Sequence, residues 1–259
     1  MTFLDALLLG LVEGITEFLP ISSTGHLMLT AYLLHGQAFL ETPFVKTFDI
    51  VIQVGAILAA AALYWRRLLL DWRTLTVTCV AFVPTGALGF VLYRSIKSFL
   101  GNPAIVVCAL LAGGVVLLLL ERWLRGRKPL VADVRAISYP QAFVIGCVQA
   151  LSMIPGVSRS AATIMAGLTL GVSRHAIVEF SFLLAIPTML AASAYDMYKS
   201  RALLTMTQVP VLAAGFVVAF IVALLVIKLF LRFVQTHTFN AFGLYRIVAA
   251  ILFWLVVLR

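Results

Sequence analysis

One polar stretch interrupts an apolar N-terminal region: Glu13-Gly14-Ile15-Thr16-Glu17-Phe18-Leu19-Pro20-Ile21-Ser22-Ser23-Thr24-Gly25-His26. Within it, Glu13 and Glu17 are four residues apart, so on a helix both side chains project from the same face. Two adjacent carboxylates repel each other, and in apolar surroundings each also loses its solvation. The pair therefore requires a compensating partner, which can be a shared proton, a basic side chain or a divalent cation.

A turn and a second helix follow the two carboxylates. Pro20 ends the first helix, because it has no N–H and disfavours the helical conformation of the residue before it. The next residues supply N-cap hydroxyls and a first helical turn, where free N–H groups bind anions. These residues are Ser22, Ser23, Thr24, Gly25 and His26. We predict a metal-assisted site for a phosphorylated ligand; the alternative is that the glutamates are solvated at a membrane interface and His26 only caps or packs.

The composition places the whole chain in a membrane. The sequence has 259 residues, of which 63% are hydrophobic and 11% are charged. Such a composition is typical of a polytopic membrane protein, so we predict one integral membrane domain over residues 1–259. The net charge of +9 is then explained by cytoplasmic loops and anionic lipid, and nucleic acid is not an expected partner.

The apolar segments divide the chain into two similar halves. Segments 3–18 and 24–35 are shorter than the roughly 20 residues that a membrane span needs, so residues 3–35 are predicted to form a re-entrant helical hairpin. The same pattern of short helix, Pro/Ser turn and short helix returns over residues 139–171. Three spans are predicted after each hairpin, over residues 46–65, 75–93, 103–121, 176–197, 208–231 and 240–258. The fold prediction is therefore an all-α protein with six transmembrane helices and two re-entrant hairpins.

The halves are predicted to be related as an inverted repeat, with repeat one at about 1–124 and repeat two at about 137–259. Because each half has three spans, the second half enters the membrane from the opposite face. More of the 19 lysines and arginines lie on the side opposite the N-terminus. The positive-inside rule then places both termini outside, and the two hairpin tips are expected to meet near the membrane midplane, with His26 close to Arg159.

The second hairpin carries the basic group that the first one lacks. Arg159 lies in the turn, and an arginine at membrane depth is costly unless it is paired. Its planar guanidinium suits bidentate contact with phosphate, and Ser158, Ser160 and Thr163 at the adjacent helix start are predicted to hold further phosphate oxygens. The alternative is that Arg159 only pairs with Glu17 and closes the hairpin tips.

Four other polar residues lie within predicted spans. Asp49 and Gln53 share one helix face and are expected to line the same cavity. Glu179 and Arg246 are expected to form salt bridges between spans.

The residues resemble one known family. Two long motifs are similar to the signatures of bacterial undecaprenyl-diphosphate phosphatases of the bacitracin-resistance type: Glu13-x-x-x-Glu17-Phe-Leu-Pro-Ile-Ser-Ser-Thr-Gly-His26 and Pro155-Gly-x-Ser-Arg159-Ser-x-x-Thr163. Two further segments are also similar, Phe48-x-x-x-Ile-Gln53-x-Gly55 and Glu179-Phe-Ser-Phe-Leu-Leu-Ala-Ile-Pro187. The resemblance covers the chain essentially from end to end.

The resemblance implies an activity and a location. Members of this family remove the terminal phosphate of undecaprenyl diphosphate at the outer face of the bacterial plasma membrane, depend on a divalent cation such as Mg²⁺ or Ca²⁺, and recycle the carrier lipid for peptidoglycan synthesis. The expected partners are this polyprenyl diphosphate and the membrane lipids, with a homodimer left open. The implied fold is six spans and two re-entrant hairpins in inverted repeats.

The roles of the site residues follow as hypotheses. Glu13 and Glu17 are assigned to the cation, Arg159 to the phosphates and His26 to proton transfer. The nucleophile stays open between Ser23 activated by His26, His26 itself, and a water activated by His26 or Glu17. A transporter or flippase for a phosphorylated lipid is the alternative function, because inverted repeats with broken helices are also the plan of secondary transporters.

Overall fold

The computed structural model describes residues 1–40, 42–99, 102–200 and 208–258. This part of the chain is helical, with one isolated bridge between Val131 and Val172 as its extended contact. The helices are α1 Phe3–Thr16, α2 Ser23–His35, α3 Gln37–Leu40, α4 Pro43–Leu70, α5 Trp72–Phe99, α6 Pro103–Trp123, α7 Tyr139–Gln149, α8 Arg159–Thr169, α9 Arg174–Ser200, α10 Val209–Thr236 and α11 Asn240–Phe253.

Six helices in the described ranges are long and apolar enough to cross a membrane. They are α4, α5, α6, α9, α10 and α11, the last one continued by the π-helical turn Trp254–Leu258. Each corresponds to one predicted span, which confirms the all-α class and the six spans. Helix α4 begins three residues before its predicted start, at Pro43, which follows the capping side chain of Thr42. Helix α6 begins at its predicted start, Pro103, which follows the capping side chain of Asn102.

The two short helix pairs begin with the same local chemistry. Thr2 caps α1 and Ser138 caps α7, each in a capping box with the residue three positions later. Ser22 caps α2 and Ser158 caps α8, and both have a φ of 72°, a conformation that residues other than glycine rarely adopt. The spacing from Thr2 to Ser138 equals that from Ser22 to Ser158, so the halves repeat the same order of elements.

The halves exchange their short helices. Helix α1 packs on α10 and helix α7 packs on α5, so each hairpin lies against the second span of the other half. Glycines permit these contacts: a Cβ at Gly10 would overlap the carbonyl oxygen of Gly215, and one at Gly146 would overlap that of Ala81. This exchanged packing agrees with an inverted repeat, whose orientation in a membrane stays a prediction.

Ion pairs join the helices at the end of the bundle opposite α2. Glu179 pairs with Arg67, which confirms its expected role between spans. Glu121 pairs with Arg174 at 2.5 Å. Outside the spans, a hydrogen bond from the Thr74 hydroxyl and the neighbouring Arg135 guanidinium lower the pKa of Asp71 to about 2. The contact of Arg135 with Asp71 fastens the segment between the halves to the bundle.

Candidate active site

The tips of the two hairpins enclose a polar cavity of about 310 Å³. Its lining combines both hairpins with the three spans α4, α5 and α9. The hydroxyl, amide and charged side chains in the lining are those of Glu17, Ser22, Ser23, Thr24, Gln53, Thr85, Gln149, Ser152, Ser158, Arg159 and Thr188. Of the two predicted cavity residues on α4, Gln53 reaches this lining and Asp49 does not.

Glu17 and Ser23 form the closest polar contact in the cavity. Glu17 is the C-cap residue of α1 and Ser23 is the first residue of α2, so the turn folds one back over the other. The Ser23 hydroxyl donates a hydrogen bond of 2.6 Å to Glu17 Oε2, and both side chains are buried. A short bond to a carboxylate polarises the hydroxyl and provides an acceptor for its proton.

Arg159 reaches the same carboxylate from the second hairpin. Its Nη2 lies 3.4 Å from Glu17 Oε1, and the two side chains are 9% and 3% exposed. Its Nη1 donates to the Ser181 carbonyl at 2.8 Å, and its Nε contacts the Met189 sulfur at 3.1 Å. The pairing of Arg159 with Glu17, which was the alternative to a phosphate contact, is therefore present, and both residues line the cavity where an anionic head group would bind.

The remaining hydroxyls of the second hairpin separate into two groups. Ser158 lines the cavity, and its Oγ accepts the cap bond from the Ala161 N–H. Ser160 and Thr163 are fully buried and lie outside the lining. Ser160 donates to the Leu19 carbonyl across the tips at 2.8 Å. Thr163 Oγ1 lies 3.1 Å from Gln149 Oε1. To contact phosphate as predicted, both hydroxyls would have to give up these hydrogen bonds.

The first helical turn of α2 contains the other predicted anion ligands. Ser22 and Thr24 line the cavity, and Thr24 is exposed there. The Gly25 N–H donates to Ser22 Oγ at 3.4 Å, so this amide serves the helix cap. Free N–H groups in this turn remain available to an anion, as expected for a helix start.

His26 points away from Ser23. Its Nδ1 lies 2.7 Å from the Ser22 carbonyl, which only accepts, so Nδ1 carries the proton. The Nε2 of the neutral ring then accepts from the Tyr245 hydroxyl at 2.7 Å. His26 is absent from the cavity lining, and the expected approach of His26 to Arg159 is replaced by the contact between Glu17 and Arg159. Its predicted catalytic role stays a prediction.

Two polar residues that contact the site residues lie outside the sequence motifs. Tyr245, the partner of His26, is a single tyrosine in an apolar span, and its place beside Arg246 is its only signal. Gln149 donates to Thr85 Oγ1 at 3.1 Å at the cavity wall. It stands at the position in the second half that Glu13 occupies in the first, and this repeat spacing could have identified it.

Glu13 is the one predicted metal ligand that the cavity lining does not include. Its carboxylate is fully buried, and neither oxygen has a hydrogen-bond partner. No group of three or more His, Cys, Asp or Glu side chains converges within the described ranges. Mg²⁺ in phosphoryl-transfer sites is commonly held by one or two carboxylates with substrate phosphates and water, so an unpartnered Glu13 beside Glu17 fits such an ion.

Arg246 corrects one expectation about the spans. It was expected to form a salt bridge, but no carboxylate of the described residues pairs with it. Its guanidinium is fully buried and donates to backbone carbonyls instead. Carbonyl groups of the hairpin turns, which have no helical partner, are available as acceptors at this depth.

A second cavity of about 340 Å³ lies at the end of α6 and α8. Arg127, Lys128 and Arg174 line it, and its lining contains no carboxylate. It lacks the carboxylate and the hydroxyl-to-carboxylate contact that the tip cavity has. The tip cavity is therefore the candidate active site.

Comparisons with known proteins identify the family of this chain. The family model described as bacitracin resistance protein BacA matches residues 6–252. A relative from Sulfurihydrogenibium sp. (strain YO3AOP1), named undecaprenyl-diphosphatase, is 49% identical over 255 residues, which are 98% of this chain and 99% of the relative. Relatives of the same name from Aquifex aeolicus and Wolinella succinogenes are 46% and 47% identical over 98% of this chain and cover 98% and 97% of their own lengths. The chain therefore belongs to the BacA family of bacitracin resistance proteins.

Proposed function

We infer that this protein hydrolyses undecaprenyl diphosphate to undecaprenyl phosphate and inorganic phosphate. Its relatives of nearly equal length carry the name of this activity. The observation that carries the inference is the 2.6 Å bond from Ser23 to Glu17 in a cavity that also holds Arg159. The reaction returns the carrier lipid to peptidoglycan synthesis, and the bacitracin resistance of the family fits this role.

The geometry favours Ser23 as the nucleophile. Glu17 accepts the hydroxyl proton while Ser23 Oγ forms a bond to the terminal phosphorus, and the bond from that phosphorus to the bridging oxygen breaks. Undecaprenyl phosphate leaves with the bridging oxygen and its electron pair and takes the proton from Glu17, which becomes a carboxylate again. A water then attacks the phosphoserine while Glu17 takes one of its protons. The bond from phosphorus to Ser23 Oγ breaks, Glu17 returns that proton to Ser23, and phosphate is released. A water held by Glu17 in place of the serine is the alternative.

Arg159 stabilises the charge that moves during this reaction. Its guanidinium lies beside the carboxylate that accepts the proton, and it borders the cavity where the phosphates would lie. Negative charge on the terminal phosphoryl oxygens draws the guanidinium from Glu17 and leaves that carboxylate free to act as the base. Ser158 and the first turn of α2 offer a hydroxyl and N–H groups to the same oxygens.

A divalent cation, Mg²⁺ or Ca²⁺, is proposed as the cofactor. Bound by Glu17 and Glu13, it would neutralise the diphosphate and polarise its bonds. Two buried carboxylates one helical turn apart also repel, and neither Glu13 oxygen has a hydrogen-bond partner.

Metal removal tests both the activity and the cofactor. Detergent-purified protein should release one phosphate per undecaprenyl diphosphate, and EDTA should reduce this release by at least about 100-fold, since the cation offsets charge in the transition state. Adding back Mg²⁺ or Ca²⁺ should restore it, and a Glu13→Gln variant should need more cation for half-maximal rate. Binding of the lipid without phosphate release under any cation would contradict the phosphatase and favour the transporter. Phosphate release that persists in EDTA would contradict the proposed cation but not the phosphatase activity.

The cavity is proposed to open to the outer face of the plasma membrane, with both termini outside. The support is the excess of lysine and arginine on the side opposite the N-terminus. The orientation prediction refers to residue 259 at the C-terminus, which lies outside the described residues. A periplasmic reporter fused after this residue should be active, and the matching cytoplasmic reporter inactive. The reverse pattern would contradict the orientation.

The transporter alternative lacks a specific observation in its favour. Transport of an anionic lipid needs basic side chains and helix N-termini. A hydroxyl held 2.6 Å from a carboxylate is instead typical of nucleophilic catalysis. A homodimer stays a prediction.

A further inference from the structure

Arg246 binds the turns of both hairpins at once. Its Nη1 donates to the Pro20 carbonyl at 3.1 Å, and its Nη2 donates to the Gly156 carbonyl at 3.0 Å. The same guanidinium donates to two carbonyls of α6, those of Ala109 at 3.1 Å and Leu110 at 3.3 Å. One side chain of α11 therefore joins the first hairpin, the second hairpin and a span.

The two carbonyls in the turns occupy equivalent positions. Pro20 lies two residues before the cap residue Ser22, and Gly156 lies two residues before the cap residue Ser158. These caps are the two residues other than glycine with positive φ among the described residues. Arg246 thus holds the backbone immediately before the two strained cap residues. The residues that directly follow the caps are Ser23 and Arg159, which both line the cavity.

Only a guanidinium suits this arrangement. The side chain is fully buried, so its charge is separated from water and is offset by carbonyl oxygens rather than by a carboxylate. Its rigid planar shape directs N–H groups to acceptors on three sides, which a lysine ammonium on a flexible stem does not reproduce. Removing this buried charge would leave its carbonyl partners without this donor, and its presence fixes the positions of the two turns relative to α6.

The neighbouring span leaves space for this group by omitting a side chain. A Cβ placed on Gly113 would overlap the guanidinium, and the three heavy atoms nearest to it are all guanidinium atoms of Arg246. Gly113 lies within α6 and is not part of the cavity lining. It therefore offers a way to displace the guanidinium without touching the cavity or removing the arginine.

We propose that Arg246 is a positioning residue for phosphoryl transfer, which sets the distance between the two hairpin tips and so aligns Ser23 and Glu17 with Arg159. The proposal rests on the proposed phosphatase function. A positioning role differs from a packing role in what it changes, because displaced reacting groups lower the turnover of a folded enzyme.

The test is Gly113→Ala, compared with Gly86→Ala as a matched control. In Gly86→Ala the added Cβ would lie 3.3 Å from the Phe82 ring, and Gly86 is not part of the cavity lining. Gly113→Ala should lower kcat for phosphate release by about 10-fold, with KM changed less than about 3-fold and the thermal midpoint close to that of the control. The control should keep kcat within about 3-fold of the wild type.

A double-mutant cycle separates positioning from packing. In an Arg246→Met background, which itself should lose at least about 100-fold in kcat, Gly113→Ala should cost nothing further, because the displaced group is gone. Independent losses that multiply would overturn the proposal, as would a Gly113→Ala enzyme with wild-type kcat. If Gly113→Ala does not yield folded protein, Arg246→Lys carries the test, and an Arg246→Lys enzyme with wild-type kcat would overturn it. A wild-type enzyme without phosphate release would instead contradict the proposed function.

Discussion

Ser23→Ala should lower kcat for phosphate release by at least about 1,000-fold, because it removes the hydroxyl that Glu17 Oε2 holds at 2.6 Å. The loss should appear in kcat rather than KM, since the side chain is buried and forms its new bond only during reaction. Wild-type enzyme quenched during turnover of a lipid labelled in its terminal phosphate should carry acid-stable label, and the variant should carry none.

The matched control is Ser152→Ala. Ser152 also lines the cavity with a hydroxyl, but it has no role in the proposed reaction, so its loss should change kcat by less than about 3-fold. If the kcat of Ser23→Ala lies within about 10-fold of wild type and no phosphoenzyme forms, the nucleophile is a water held by Glu17 and not Ser23. Glu17→Gln should then still inactivate, because both versions need the same base.

Arg159→Lys should lower kcat/KM by at least about 100-fold although the charge is retained. The guanidinium contacts the Glu17 carboxylate, the Ser181 carbonyl and the Met189 sulfur together, and a lysine ammonium has neither the planar shape nor the reach to keep all three. Losing the alignment exposes the developing phosphoryl charge and leaves Glu17 without a fixed partner.

Arg174→Lys is the control for this substitution. Arg174 likewise pairs with a buried carboxylate, that of Glu121, but at the other end of the bundle. It should lower the thermal midpoint with less than about a 3-fold effect on kcat/KM. Equal kinetic losses in the two variants would mean that Arg159 acts through stability, and near-wild-type activity of Arg159→Lys would exclude bidentate phosphate contact.

The helices of this protein are largely predictable from local pattern. Apolar runs of sufficient length identified six spans, and Pro20 followed by serines identified the break between α1 and α2. Helix spacing also placed Glu13 and Glu17 on one face. Such inferences succeed because a helix closes its hydrogen bonds within a few residues, so its bounds depend on near neighbours.

The partners of the site residues were not predictable in the same way. Ser23 and His26 are three residues apart, which suggested a pair, yet Ser23 turns to Glu17 and His26 turns to Tyr245. Arg246 was expected to find a carboxylate and instead binds carbonyls of the hairpin turns. The contacts of His26 and Arg246 depend on where α11 lies relative to the tips, which no periodicity along the chain encodes.

The sequence by itself determined the membrane environment, the order of helices and the set of groups that could carry phosphoryl transfer. Only the tertiary structure decided which of these groups meet. The physical reason is range: apolar length, helix caps and prolines act over a few residues, whereas the contacts of Arg159 with Glu17 and of Arg246 with Pro20 join residues far apart in the chain. Those contacts exist because each hairpin packs on a span of the other half.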